Sequence, residues 1–101
     1  MLPLPDSPPT LDEINTAATA LAGRIVRTPT VALSQAAFDD VLGGTASASM
    51  KLELFQHAGS FKARGNLLGI ERLNQEQREA GVVAASGGNH ALALSWAAAS
   101  E

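Results

Sequence analysis

Val82-Val83-Ala84-Ala85-Ser86-Gly87-Gly88-Asn89-His90-Ala91 runs from an apolar tract through a glycine turn into a helix start. The apolar tract predicts a short buried strand over Val82–Ala85. Ser86 to Asn89 reads as a turn, and the helix that follows from His90 is still running at Glu101, with no capping signal. Strand, turn and helix in this order are one unit of an α/β fold. Upstream, Asn74 with Gln77 marks a capped helix start and Gly81 its end. A helix is predicted from Ser60 to about Leu73, with Leu67, Ile70 and Leu73 on its apolar side. Gly65 and Gly69 inside it each cost about 1 kcal/mol against alanine, which close packing on a neighbouring element would offset.

The first half alternates in the same way. Thr10 with Glu13 reads as a capping box for a helix at 11–22, stopped by Gly23. Thr28-Pro29 forces extended backbone, and Val31 and Leu33 suggest a short strand. Ser34 is placed to cap a second helix that ends at Gly43-Gly44. From Ser47 to Leu54, Ala48, Met50, Leu52 and Leu54 alternate with Ser49, Lys51 and Glu53, which is a strand pattern. Lys51 and Glu53 share one face of the strand and could pair, but a solvated or partly covered sheet face is the preferred reading; Gln56 to Gly59 reads as a loop. Helices and strands alternate throughout, so the expected class is α/β with mainly parallel strands.

Composition narrows the classes of function. The 101 residues are 46% hydrophobic and 17% charged, a globular balance. A net charge of -3 gives no general attraction to nucleic acid or anionic membrane, and neither is expected as a partner. The absence of cysteine removes disulfides and thiolate chemistry and suits a cytoplasmic location. No apolar run approaches the roughly 18 residues of a membrane span. Met1 to Pro9 carries no basic residue and does not read as a signal peptide; Pro3, Pro5, Pro8 and Pro9 make residues 1–10 an extended arm. Aromatic residues are only 4% of the chain, fewer than a self-sufficient core of this length usually carries.

Two stretches could carry chemistry. In Ser60-Phe61-Lys62-Ala63-Arg64-Gly65, the lysine falls in the first turn of a helix, whose positive end opposes a cation. Arg64 adds a second positive charge, and both favour the neutral amine that attacks a carbonyl to form a Schiff base. A surface lysine lying over an apolar face is the plainer reading. In Ser86-Gly87-Gly88-Asn89-His90, free N–H groups at a helix start suit an anion, beyond the carboxyl end of a strand where α/β sheets bind ligands. A simple turn with Asn89 as N-cap is the plainer reading here. His57 and His90 are the only histidines, no metal site is expected, and His57 reads as a loop residue.

The run Lys51 to Gly65, followed by Ser86-Gly87-Gly88-Asn89-His90-Ala91 and preceded by Arg27-Thr28-Pro29, resembles the serine/threonine dehydratase and serine racemase group. These are fold-type II, tryptophan synthase β-like enzymes that depend on pyridoxal 5′-phosphate (PLP). The resemblance covers about Thr10 to Ser100. It implies Lys62 as the Schiff-base lysine and proton carrier, Phe61 beside the cofactor ring, and Asn89 on the phenolic oxygen. It also implies Ser86, Gly87, Gly88, Asn89 and His90 as the receptor of the substrate carboxylate. Alanine at 63, where threonine and cysteine synthases carry aspartate, points to a dehydratase. Gly87 stands where racemases place a serine base, and Asn66 where alanine commonly follows.

The implied reaction is dehydration and deamination of L-serine or L-threonine to a 2-oxo acid and ammonia. A racemase is the neighbouring alternative. Family members are more than twice this length, and their phosphate-cradling glycine loop lies further along. The resemblance therefore implies an N-terminal fragment: an arm at 1–10, part of the large PLP-binding domain at 11–80, and the start of the small domain at 81–101. A fragment of this kind is expected to be inactive alone and to fold as a homo-oligomer or with its missing remainder.

Overall fold

The computed structural model describes residues 7–34, 36, 38–44 and 47–101. The expected arm therefore lies largely outside the described residues. Helix α1 spans Leu11–Leu21. Its capping box is reciprocal: the Thr10 hydroxyl accepts from the Glu13 N–H, and the Thr10 N–H donates to the Glu13 carboxylate at 2.7 Å. Gly23, at φ 75, then turns the chain away in the left-handed region that only glycine enters freely.

Strands β1 (Thr30–Ala32) and β2 (Ser49–Lys51) form a two-stranded ladder in which Val31 faces Met50. The ladder is antiparallel, which corrects the expectation of parallel pairing for this part of the chain. Leu33 and Leu52 extend it by one bond at each end, donating to Ala48 and Pro29. Beyond Lys51 the strand stops short of the predicted Leu54, because the Phe55 and Gln56 N–H groups turn back to the Leu52 and Glu53 carbonyls. Two 3-10 turns follow, Glu53–Phe55 and His57–Gly59. Between the strands, α2 is only Asp39–Leu42; Phe38 rather than Ser34 precedes it, and Gly43 closes it at φ 68. Residues 35 and 37, needed for the longer helix, are outside the described set.

Helix α3 spans Lys62–Glu71 and α4 spans Gln75–Ala80. The Asn74–Gln77 capping box forms as expected, and Gly81 ends α4. Helix α5 spans Asn89–Ala99. It does not continue to Glu101: the Ser100 N–H folds back onto the Trp96 and Ala97 carbonyls at 3.1 Å, and its hydroxyl takes the Trp96 carbonyl too. The core lies between α3, α5 and the end of α1. Leu21, Leu67, Ile70 and Ala97 are buried, with Ile25, Leu68, Leu73, Leu94 and Trp96 packed around them. Ala63, Ala93 and Ala97 are wholly buried, so it is alanine that lets α3 and α5 approach. Gly65 and Gly69 are exposed with open space beside them, which corrects the expectation that they pack closely. Their missing side chains leave a helix face bare instead.

Val82 to Ala85 is the other correction. The segment is irregular and exposed, with Val83 at 100%. An extended segment gains its backbone hydrogen bonds only from a neighbouring strand, and the described ladder does not reach it. Ion pairs gather at the far end of the helices: Arg24 binds Glu71 at 3.2 Å and Glu101, which also meets Arg78 at 3.5 Å.

Leu67 is the largest fully buried side chain. Replacing it with alanine is expected to cost about 2–5 kcal/mol in urea unfolding, from lost burial plus the cavity left behind. Val83→Ala, at a fully exposed site, is expected to stay within about 0.5 kcal/mol. Equal effects would contradict this placement of the core.

Candidate active site

Lys62 is the first residue of α3, and Phe61 before it provides no side-chain cap. Instead the Ala63 and Arg64 N–H groups turn to the Ser60 and Phe61 carbonyls, at 3.4 and 3.2 Å. Lys62 is exposed, and its Nζ lies 5.1 Å from the centroid of the Phe61 ring, within reach of the ring's negative face. Ser60, two residues earlier, is buried, and its Oγ has no hydrogen-bond partner among the described residues. Ala58 just upstream holds φ 57 and ψ 18, which costs a non-glycine residue about 1–2 kcal/mol. The Gly59 N–H to Gln56 carbonyl bond at 2.9 Å closes that turn. His57 is no bare loop residue: its ring stacks on Trp96 at 4.6 Å, joining the turn to α5.

Arg64 does not offer a second unopposed charge to Lys62, as its position in the sequence suggests. Its Nε and Nη2 both donate to the Glu53 carboxylate, each at 2.7 Å. The Thr28 hydroxyl donates to the same carboxylate at 2.5 Å, and Lys51 Nζ lies 4.0 Å from it while donating to the Thr28 carbonyl. Thr28 itself is buried. Of the expected solvated or partly covered face, Lys51 is exposed and Glu53 is partly covered, tied to α3 through Arg64. The forked hydrogen bonds from Arg64 hold its carboxyl at a pKa of about 2, well below the usual 4.5, against the desolvation that opposes this. The same contact raises Arg64.

Gln56 makes a second such joint. Its buried side chain accepts from the Val26 N–H at 2.9 Å and donates to the Val26 carbonyl at 2.8 Å. An amide side chain here does what a neighbouring strand would do. Neither Glu53 nor Gln56 stands out in the sequence, since nothing in its local spacing names a partner 11 or 30 residues away.

The second motif is built by α5. Gly88 is the N-cap and Asn89 the first helical residue, so the reading of Asn89 as the cap is corrected. The Gly88 N–H donates to Ser86 Oγ at 3.2 Å, which folds the turn over Gly87. The first helical bond runs from the Leu92 N–H to the Gly88 carbonyl. The N–H groups of Asn89, His90 and Ala91 therefore precede the ladder and have no acceptor among the described residues. Ser86, Gly87, Gly88, Asn89 and His90 are all exposed.

The two motifs meet through Asn66. Its Nδ2 is 2.8 Å from the Lys62 carbonyl and 3.3 Å from His90 Nδ1. Ile70 and Leu73 line a pocket with Ala98 and Glu101 at the other end, so α3 and α5 run in the same sense with their starts together. An exposed amine, an aromatic ring and N–H groups without acceptors among the described residues thus share one end of a helix pair.

A family model for pyridoxal-phosphate dependent enzymes matches residues 21–100. The chain belongs to this family. It is 40% identical to an L-threonine ammonia-lyase of Thermotoga maritima over 88% of its own length and 21% of that protein. It is 37% identical to a serine racemase of Schizosaccharomyces pombe, covering 89% of itself and 27% of the relative. The solved structure of maize serine racemase superposes with a TM-score of 0.69 at 39% identity, over 87% of this chain and 26% of that one. The chain thus spans about a quarter of the length of these relatives. No described helix is long and apolar enough to cross a membrane.

The family's cofactor carries an aldehyde on an aromatic ring, together with a phosphate. The residues present fit the aldehyde and the ring: Lys62 supplies a primary amine, Phe61 an aromatic wall, and Ser60 Oγ a spare buried hydroxyl at the same turn.

Glu53 supplies a test of the joint under the lysine. Its contribution to stability is whole above pH 4.5 and is lost as pH falls from there towards about 2, where the folded carboxylate takes its proton. Glu53→Gln turns an amide N–H₂ or a single neutral oxygen towards Arg64. It is expected to cost about 1.5–3 kcal/mol at neutral pH and to flatten the acid limb of the stability curve. Urea midpoints from pH 2 to 7 check both.

Proposed function

We propose that this chain is the lysine-bearing part of a PLP-dependent hydroxy-amino-acid ammonia-lyase of fold-type II architecture, acting on L-serine or L-threonine in the cytoplasm. The observation that carries the reading is the meeting of the Lys62 turn and the Ser86–His90 turn at one end of the α3/α5 pair, joined by Asn66. The similarity to an L-threonine ammonia-lyase supports the choice of reaction.

In this reading Lys62 holds the cofactor through its side-chain nitrogen, with Phe61 as a wall of the ring site and Asn89 as a hydrogen-bonding group at its edge. The cofactor supplies an electron sink for negative charge at the substrate α-carbon. Ser86 and the open N–H groups at Asn89, His90 and Ala91 bind the substrate carboxylate, with Gly87 and Gly88 leaving the approach clear. Binding there would orient the α-hydrogen towards Lys62, whose Nζ, once the substrate amine has taken its place on the cofactor, would accept that proton and return it to the departing β-hydroxyl. Departure of the β-hydroxyl as water then leaves an enamine, which a second water hydrolyses to the 2-oxo acid and ammonia. Loss of HOH and gain of HOH balance. Gly87 bears no side chain to hold a proton, so a lyase is preferred to the racemase that other relatives suggest.

The chain has two lysines, Lys51 and Lys62, so each controls for the other. Lys51 is tied to the Thr28 carbonyl at 3.0 Å. Incubation with PLP, reduction by borohydride and peptide mapping are expected to put the label on Lys62 and to lose it in Lys62→Ala. Equal labelling of Lys51 would overturn the assignment.

A further inference from the structure

Asn66 is buried, 9% exposed, on a helix whose other buried side chains are apolar. A polar side chain in such a place needs its partners to be worth its burial. Its two contacts fix its chemistry. The atom 2.8 Å from the Lys62 carbonyl oxygen must be the amide nitrogen, because an amide oxygen at that distance would set two acceptors against each other. The same nitrogen lies 3.3 Å from His90 Nδ1 and carries a second hydrogen. It can only donate there, so His90 Nδ1 must accept. An imidazole that accepts at Nδ1 carries its proton at Nε2.

We propose that Asn66 is a positioning residue: it holds His90 as the Nε2–H tautomer and so registers the start of α5 against the Lys62 turn of α3. One side chain spans two residues with roles in the proposed site. The Lys62 carbonyl belongs to the residue that bears the amine. His90 follows Asn89 directly, and its own N–H is one of the open donors. Rotation or sliding of α5 by a fraction of a turn would carry Asn89 away from Lys62 before it cost much in the alanine seam, since Ala93 and Ala97 offer smooth surfaces. The Asn66 hydrogen bonds resist that motion at the start of α5. The inference rests on the proposed function for its catalytic meaning, but the tautomer does not.

The test uses the 101-residue chain, without cofactor or substrate. Long-range proton–nitrogen NMR spectra at pH 8 read which ring nitrogen of His90 bears hydrogen. Wild type is expected to show the proton on Nε2 and a bare Nδ1, as one dominant tautomer. Asn66→Ala keeps a strong helix former at the position. It is expected to release the ring to a mixture of tautomers and to speed hydrogen exchange at the first bonded amides of α5, Leu92 and Ala93, by about tenfold, the worth of one ordinary hydrogen bond. Amides of α1 should not change. A wild-type ring protonated at Nδ1 overturns the proposal whatever the variant does. An Asn66→Ala ring with the wild-type tautomer and wild-type exchange at α5 overturns it as well. A missing borohydride label at Lys62 would leave the tautomer standing, and a wrong tautomer would leave the label standing.

Discussion

The Glu53 carboxylate is where three separate stretches of the chain become one structure. Arg64 reaches it from α3, Thr28 from the segment before β1, and Lys51 approaches from β2. None of these stretches could hold the others by apolar burial. The ladder is three residues a side and both its strands are exposed, so the sheet has no packed face. Gln56 and Val26 add a second polar joint close by. A forked contact between guanidinium and carboxylate has a fixed geometry as well as an energy. It therefore sets the angle at which the lysine-bearing helix meets the sheet. With Arg64 two residues after Lys62, that angle is imposed almost at the amine.

The apolar core does a different job. Alanine at 63, 93 and 97 lets α3 and α5 approach closely, with Leu67 and Ile70 of α3 clustered with Ala97. Such a seam gives proximity at little entropic cost, because alanine loses no rotamers on burial. It gives poor register for the same reason. His57 stacked on Trp96 and the Glu101 ion pairs add restraints on α5. Asn66 adds one at the start of the helices, where the proposed site needs it. Polar contacts thus supply register to a pair of helices that apolar packing only brings near.

Much of this was open to reading in the residues, and the part that was not has a physical reason. The capping boxes at Thr10–Glu13 and Asn74–Gln77 formed because both partners lie three residues apart in one short segment. Gly23, Gly43 and Gly81 end their elements through a backbone freedom that is their own. Strands are less local. Val82 to Ala85 has the composition of a buried strand, but composition supplies only half of a ladder, and its backbone bonds depend on another segment alongside. The Glu53–Arg64 contact, the Gln56–Val26 pairing and the Asn66–His90 contact left no trace in periodicity. They join positions 11 to 30 residues apart, and a single polar side chain has no pattern to announce its partner. Lys62 and the Ser86–His90 turn were legible as motifs. The resemblance implied that they meet, but not that they do so at one end of a helix pair, which follows from the packing of α3 on α5 and the sense in which the helices run.

The exposure of residues 81–90 bears on what such a site requires. An anion receptor made of backbone N–H groups works only while those groups lack internal acceptors, so it must sit at a helix start. That start must also be fixed, because loose donors would lose on ordering much of what they gain on binding. Among the described residues the turn itself is held by one bond, from Gly88 to Ser86, and has no buried side chain to anchor it. Its position must therefore come from the helix it opens. Asn66 reaches that helix at His90, one residue past Asn89 and inside the first turn. A restraint placed later, at Trp96 or Glu101, would act at the far end of an 11-residue lever and leave the donors free to swing. Openness to a ligand and rigidity of the donors are compatible only if the clamp lies beside the site without filling it, and a buried asparagine on the neighbouring helix meets both conditions.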